Sequence, residues 1–546
     1  MQQPIRFIMV PLMGVALMVP SLGEACTNIL VTKSASADGS TMITYACDGR
    51  FHPRLTRTPA ADHPPGSVRQ IVSWGGEVRG EIPEVAHTYA VVDMMNEKQV
   101  AISETTTTGR EELRNSEGLL GYWDLIQITL ERAATAREAI EVMTSLVATH
   151  GYRSTAESFS IADPNEVWLM EMSGKGPGRT GAVWVARKIP DGYMAAYANG
   201  IRIRQFPLDE PETTLYAPDV VDFAIAQGFW KRPLAEPFNF AAAYDAPTVQ
   251  SRRYTATRVW SIFRRAAPSL APSLDPAYHR GDPTAEPYPL WIKPDAPLSV
   301  ADVMALMRDH YEGTSYDMTK GVDAGPYGTP NRWRPMTWEV DGVRYSWERP
   351  ISTQQTGFSF VSQSRSWLPD PVGGVYWYGV DDTYTTCYVP LYVGIDSLPE
   401  SFTRGTIGAF SWDSAWWVFN FVANIANLKY SLMAPEIVEV QRELEGRFLA
   451  QQPAVEQVAL ELLEEDPELA RAFLTDYSVS HGEEVVDRWK TLAEHLVTKY
   501  NDGYVVAGEA DPERGYPESW LREVIRARPD QFLLEQPGKT ATELPY

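Results

Sequence analysis

The chain has 546 residues, and 48 Lys and Arg against 71 Asp and Glu give it a formal net charge of −23 at pH 7. That acidity disfavours nucleic acid and anionic membrane surfaces as partners, although it bears on solubility and encounter rather than on fold. Three cysteines, Cys26, Cys47 and Cys387, are too few for a disulfide scaffold and match no zinc spacing; the eight histidines form no HExxH pattern, so no metal or other cofactor is expected.

Residues 1–25 have the layout of an export signal. Arg6 precedes the apolar run FIMVPLMGVALMVPSLG, and Gly23 and Ala25 stand three and one positions before a cut that would make Cys26 the first residue. Pro11 and Pro20 bracket an apolar core shorter than the roughly 20 residues a spanning helix needs. Removal by a signal peptidase would yield a secreted or periplasmic protein without stable membrane association. Lipid attachment at Cys26 is the competing reading, but acidic Glu24 beside the cut departs from the Leu-small-small-Cys pattern of a lipoprotein signal. If Cys26 must be free, Cys47 and Cys387 are left as a pair for a bridge in an oxidising compartment.

After the signal, CTNILVTK and TMITYAC read as two strands joined by the small-polar turn SASADGS, a hairpin that brings Asp48 back beside Cys26. HTYAVVDMMNE and KQVAISETTTTG follow as strands, with NEK between them. Residues 121–149 read as a helix pair broken near Ala134: Thr135 and Glu138 have capping-box spacing, and Ala139, Ile140, Met143, Leu146 and Val147 form an apolar stripe. NEVWLMEMSG, GAVWVARKI and GYMAAYANG are three more strands, and their tight succession indicates antiparallel sheet. Prolines and polar turns fill 205–300, with helices near 257–266 and 299–311. Strands return over 351–410, including GGVYWYGV and CYVPLYVGI, and the rest to about residue 500 is mostly helical and highly charged. The reading is an α+β core with helices on the outer faces of its sheets. Its divisions are a signal at 1–25, a catalytic-type domain at 26–430 and a mainly helical region at 431–546.

A free N-terminal cysteine would carry nucleophile and base in one residue. Its thiol ordinarily titrates near pH 8.5 and its α-amine near 7.7, close enough for the amine to take the thiol proton. Acyl transfer through a thioester is the chemistry this pairing supports. The plain alternative is a small buried hydrophobe at a strand start.

CTNILVTKSASADGSTMITYACDG resembles the beginning of the secreted C69-type dipeptidases, a family of the N-terminal nucleophile hydrolases. The likeness continues through YAVVDMMNEKQVAISETTTTGREEL, FSIADPNEVWLMEMSGKG, GAVWVARKIPDGYMAAYANGIRI and VSQSRSWLPDPVGGVYWYGVDDTY, across roughly residues 26–420. It implies a four-layer αββα fold and hydrolysis of dipeptides or other short peptides. By that resemblance Cys26 is the nucleophile, Asp48 orients the amine, Asn199 in AYANG donates to the oxyanion, and Asn96 is a polar residue near the oxyanion region. Asn96 also reads simply as the end of a strand, and Asn199 as a turn residue. Where relatives carry Arg in an ARNED-like stretch, this chain has Tyr45, which cannot reproduce a fixed forked charge. Arg202 and Arg365 are the candidate replacements, and with Tyr45 and Asn96 they form the substrate-binding set. Two other readings share these residues: an N-acyl amide hydrolase with the same constellation, and a secreted binding protein whose Cys26 is structural.

Overall fold

In the computed structural model the described residues are 26–73, 75–231, 237–245, 247–506, 515–529 and 531–534, so the signal-like residues 1–25 lie outside them. Strand β1 (Asn28–Val31) and strand β2 (Thr41–Asp48) pair antiparallel at the centre of a seven-stranded sheet. Beyond β1 lie Met194–Tyr197 and then Trp291–Ile292; beyond β2 lie Thr356–Ser364, Val375–Val380 and Val389–Tyr392. A second, eight-stranded antiparallel sheet runs Thr214–Tyr216, Ala182–Lys188, Val167–Gly174, Ala156–Ala162, Ala101–Thr106, Met95–Asn96, Val91–Val92 and Arg57–Thr58.

The two sheets face one another. Asn28 Nδ2 on the first donates to Ser103 Oγ on the second at 2.6 Å, and Tyr197 OH meets Ser160 Oγ at 2.8 Å. Helices Tyr122–Leu130, Ala136–His150 and Val220–Ala226 cover the outer face of the second sheet; Val249–Ala266, Val300–Met307, Ala415–Ala426 and Pro467–Lys499 cover the first. These are the four αββα layers that the resemblance implied. A sheet covered on both faces has no solvent side, which is why TMITYACD lacks a simple apolar-polar alternation and is buried almost throughout.

The break in the 121–149 helix pair falls where the capping signal stands. Thr135 Oγ1 accepts from Glu138 N at 3.2 Å while the Glu138 carboxylate accepts from Ala134 N at 2.8 Å, and all five stripe residues face the core. Helix Val249–Ala266 begins eight residues before its sequence-based start. There Thr248 caps the helix by accepting from Ser251 N.

The C-terminal helices are fastened to the first sheet rather than left in solvent. Trp489 is fully buried and stacks on Phe419 at 4.6 Å. Arg308 forks onto Glu445, and Arg365, at the far end of the strand paired with β2, is ion-paired with Glu456 in helix Tyr430–Glu465. Removing one partner of a buried pair leaves an uncompensated charge. Arg365→Met is therefore expected to lower unfolding free energy by about 3 kcal/mol in urea titrations, with turnover per folded molecule unchanged.

Candidate active site

The hairpin turn sets the position of Cys26. Asp38 accepts from Ser40 N at 3.0 Å and from the hydroxyls of Ser36 and Ser40, and Gly39 follows at φ 83°, a conformation that favours glycine. The returning strand then pairs with the residue after the cysteine: Thr27 N donates to Ala46 O at 3.4 Å and Ala46 N to Thr27 O at 3.1 Å. Cys26 thus begins a central strand, with its side chain 4% exposed and turned toward the second sheet.

Its backbone is held by a residue that the sequence reading missed. Arg258, fully buried on helix Val249–Ala266, donates through Nη1 to Cys26 O at 2.8 Å and Thr27 Oγ1 at 2.9 Å, and through Nη2 to Asn199 Oδ1 at 2.8 Å. Burial and then Arg349 draw its guanidinium down to about 10, against the pull of Tyr311, Asp48 and Cys26, so it stays cationic at neutral pH. Asn199 stands at φ 56°, a left-handed conformation that asparagine tolerates better than most residues. Its Nδ2 donates to Thr106 O at 2.8 Å, which uses one of the two amide hydrogens.

Asp48 ends β2 on the same side as Arg258. It accepts from Thr356 Oγ1 at 2.7 Å and from Arg349 Nη2 at 3.4 Å. Burial lifts its carboxyl to about 6, against the lowering effect of Arg349, Thr356 and Arg258. Arg349 and Arg258 therefore supply the fixed positive charge that Tyr45 lacks, from behind the strand.

Tyr45 itself lies in front. Its OH receives the Cys26 thiol at 3.6 Å and donates to buried Glu104 on the second sheet, and its ring sits edge-on to Phe358 and Phe360. Glu157, next to Glu104, is pushed well above its ordinary value by burial and then by Glu104. Cys26 is raised as well, by the neighbouring Cys47 thiol, by burial, and by Glu104 and Asp48. While the Cys26 nitrogen is part of a peptide bond it has no basic lone pair, and this thiol remains protonated.

The fold does not bring Asn96, Arg202 or Arg365 to Cys26. Asn96 is spent on backbone: Nδ2 donates to Leu130 O and Ala133 O, both at 2.7 Å, and Oδ1 accepts from Lys98 N and Val100 N. Arg202 donates to Ala196 O at 2.8 Å and to the carbonyls of Tyr288 and Pro289, and its guanidinium lies over Phe263. It lines a cavity of about 260 Å³ beside Asn199, together with Ala198, Gly200, Thr255 and Tyr278. Arg365 belongs to the opposite end of the sheet, where Ser364 pairs with Thr41 rather than with Asp48.

The Cys47–Cys387 bridge does not form: all three cysteines are free. Two strands, Thr356–Ser364 and Val375–Val380, separate the strand of Cys47 from the edge strand that Cys387 precedes. At about 4.8 Å per strand spacing, this exceeds the Cα separation of roughly 7 Å that a disulfide can span.

Arg258 and Glu104 left traces in the sequence. Arg258 stands between Tyr254 and Ile262, four residues to either side on one buried helix face, where a surface arginine would not be expected. Glu104 is a carboxylate within the buried strand AISETT, on the face opposite Ser103.

Two facing antiparallel sheets between helical layers, with a cysteine opening a central strand, define an N-terminal nucleophile hydrolase. The model for peptidase family C69 matches residues 25–67 and 56–443, and the chain belongs to that family. It is 27% identical over 445 residues to a probable dipeptidase of Latilactobacillus sakei, covering 77% of this chain and 85% of the relative. To dipeptidase A of Lactobacillus helveticus it is 24% identical over 449 residues, 78% of this chain and 86% of the relative. A dipeptidase of Bifidobacterium longum is 25% identical over 434 residues, 71% and 75% of the two chains.

Because Arg258 satisfies several buried acceptors at once, the Cys26 and Tyr254 carbonyls, the Thr27 hydroxyl and the Asn199 amide oxygen among them, Arg258→Met should cost about 3 kcal/mol of stability through the oxygens it strands. Arg258→Lys should recover less than half of that loss in urea titrations, since an ammonium lacks the fork that spans Cys26 and Asn199.

Proposed function

We propose that this peptidase cleaves dipeptides by acyl transfer from Cys26, after export has removed residues 1–25 and freed the α-amine. The observation that carries the reading is the convergence of the Cys26 carbonyl and Asn199 Oδ1 on one buried guanidinium, with Asp48 beside it. Cleavage replaces an amide nitrogen by an amine that can take the thiol proton. The sulfur then attacks the scissile carbonyl carbon, and Asn199 and nearby backbone N–H groups stabilise the oxyanion. The α-ammonium, positioned by Asp48, returns its proton to the leaving nitrogen as the C–N bond breaks. A thioester remains. The amine next deprotonates water, which attacks the thioester carbonyl, and the sulfur departs to be reprotonated.

Among the described residues no helix is long and apolar enough to cross a membrane, and no group of His, Cys, Asp and Glu side chains is arranged to hold a metal ion.

Terminal sequencing of exported protein should find Cys26 first. In that processed form Cys26→Ala should abolish turnover of a dipeptide panel without unfolding the chain, and Asn199→Ala should lower kcat by about 10² to 10³. Full activity in processed Cys26→Ala, or turnover of N-acyl amides with none of dipeptides, would overturn the proposal.

A second test uses pH. Asp48 must be ionised to hold the ammonium and its carboxyl titrates at about 6, so kcat/KM should fall as pH drops through 6. Asp48→Asn should remove that limb and depress the plateau by about 10² or more. A limb that survives the substitution would assign the titration to another group.

A further inference from the structure

Cys47 has no part in the mechanism above, yet it is the cross-strand partner of the nucleophile. The register between β1 and β2 is the same at both ends of the hairpin: Val31 faces Met42, Leu30 faces Ile43, and Thr27 faces Ala46. One step further outward sets Cys26 against Cys47. Thr27 and Ala46 exchange both of their backbone hydrogen bonds, so the pair beyond them is of the non-hydrogen-bonded kind. In such pairs the Cα atoms approach to about 4.5 Å with both side chains on one face, within the roughly 4.4–6.8 Å that a disulfide bridges.

The side chains agree with the backbone. Cys26 Sγ reaches Tyr45 OH, and Tyr45 lies two residues before Cys47 on the same face of β2. Cys47 is half-buried where Cys26 is nearly enclosed, and both thiols are free. Cys387 is fully buried and two strands removed, so this is the one cysteine pair that can be joined without moving the sheet. Once cleaved ahead of Cys26, the chain end can also swing to the bridging geometry with no preceding residue to resist it.

We propose that Cys47 is a resolving thiol, and that peroxide converts Cys26 and Cys47 to a reversible disulfide that switches the enzyme off. The Cys26 thiolate attacks one peroxide oxygen; the O–O bond breaks, the other oxygen leaves as water, and the sulfur becomes a sulfenic acid. The Cys47 sulfur attacks that sulfenic sulfur, the S–O bond breaks, and a second water departs with the remaining proton. Two thiols lose one electron each, and one peroxide is reduced to two waters. Attack by Cys47 also intercepts the nucleophile before it reaches the irreversible sulfinic and sulfonic acids.

The test treats processed protein with hydrogen peroxide and maps its peptides without reduction. The expected product is two hydrogen atoms lighter and yields a peptide in which Cys26 is joined to Cys47; turnover falls about tenfold or more and returns with dithiothreitol. In Cys47→Ser the same treatment should add oxygen atoms to Cys26, and dithiothreitol should not restore turnover. Oxidised wild type that gains only oxygen, or that carries a bridge involving Cys387, overturns the proposal, as does a Cys47→Ser protein that recovers as fully as wild type. The mass measurement on wild type decides the question even where the variant folds poorly, and it holds whether or not dipeptides are the substrate.

Discussion

A guanidinium without water around it organises this molecule. Burying Arg258 removes it from a solvent that would hydrate all five of its donors, and the site repays that loss only by offering oxygens in a fixed arrangement. The Tyr254 carbonyl, the Cys26 carbonyl, the Thr27 hydroxyl and the Asn199 amide oxygen meet this requirement together. One charged side chain therefore ties the first residue of a central strand, the turn after Tyr197 and a covering helix into a single unit. Displacing any of them leaves the others with unpaired buried oxygens, at about 1–3 kcal/mol each.

The electrostatics divide across the sheet. Arg258 and Arg349 lie behind β1 and β2 with Asp48, whereas on the other side of these strands Tyr45 reaches buried Glu104, with Glu157 beyond it. A phenol suits that forward position because it can accept from the thiol and donate to a carboxylate without adding charge to an acidic seam. Positive charge reaches Cys26 from its carbonyl side, through Arg258, rather than from the position of Tyr45.

Much of the fold was legible in the sequence because its signals are local. The hairpin declared itself through SASADGS, the helix break through Thr135 and Glu138, and the sheets through a run of short strands with turns between them. The site was legible in part. Cys26, Asp48 and Asn199 do converge, and all three lie at strand ends where motif and turn coincide. Arg258 and Glu104 were not, since each acts across a layer, and neither a helix period nor a strand alternation says which oxygen lies opposite. The same limit misplaced the cysteine pairing: counting thiols suggested Cys47 with Cys387, while strand order keeps them two strands apart. Asn96, Arg202 and Arg365 illustrate the converse. Polar residues at suggestive positions are bound to backbone carbonyls or to Glu456, where they hold the scaffold together.

Strand β1 lies in the middle of its sheet, although it comes first in the chain. It is flanked by β2 on one side and by Met194–Tyr197 on the other, and β2 in turn needs Thr356–Ser364. The ribosome delivers these neighbours long after β1 has emerged, so the centre of the sheet cannot close until about two thirds of the polypeptide has been made. Non-local pairing of this kind is slow and leaves strand edges uncovered while it waits. If Cys26 is uncovered by cleavage as proposed above, that delay leaves time for the cut before the sheet closes around the new terminus.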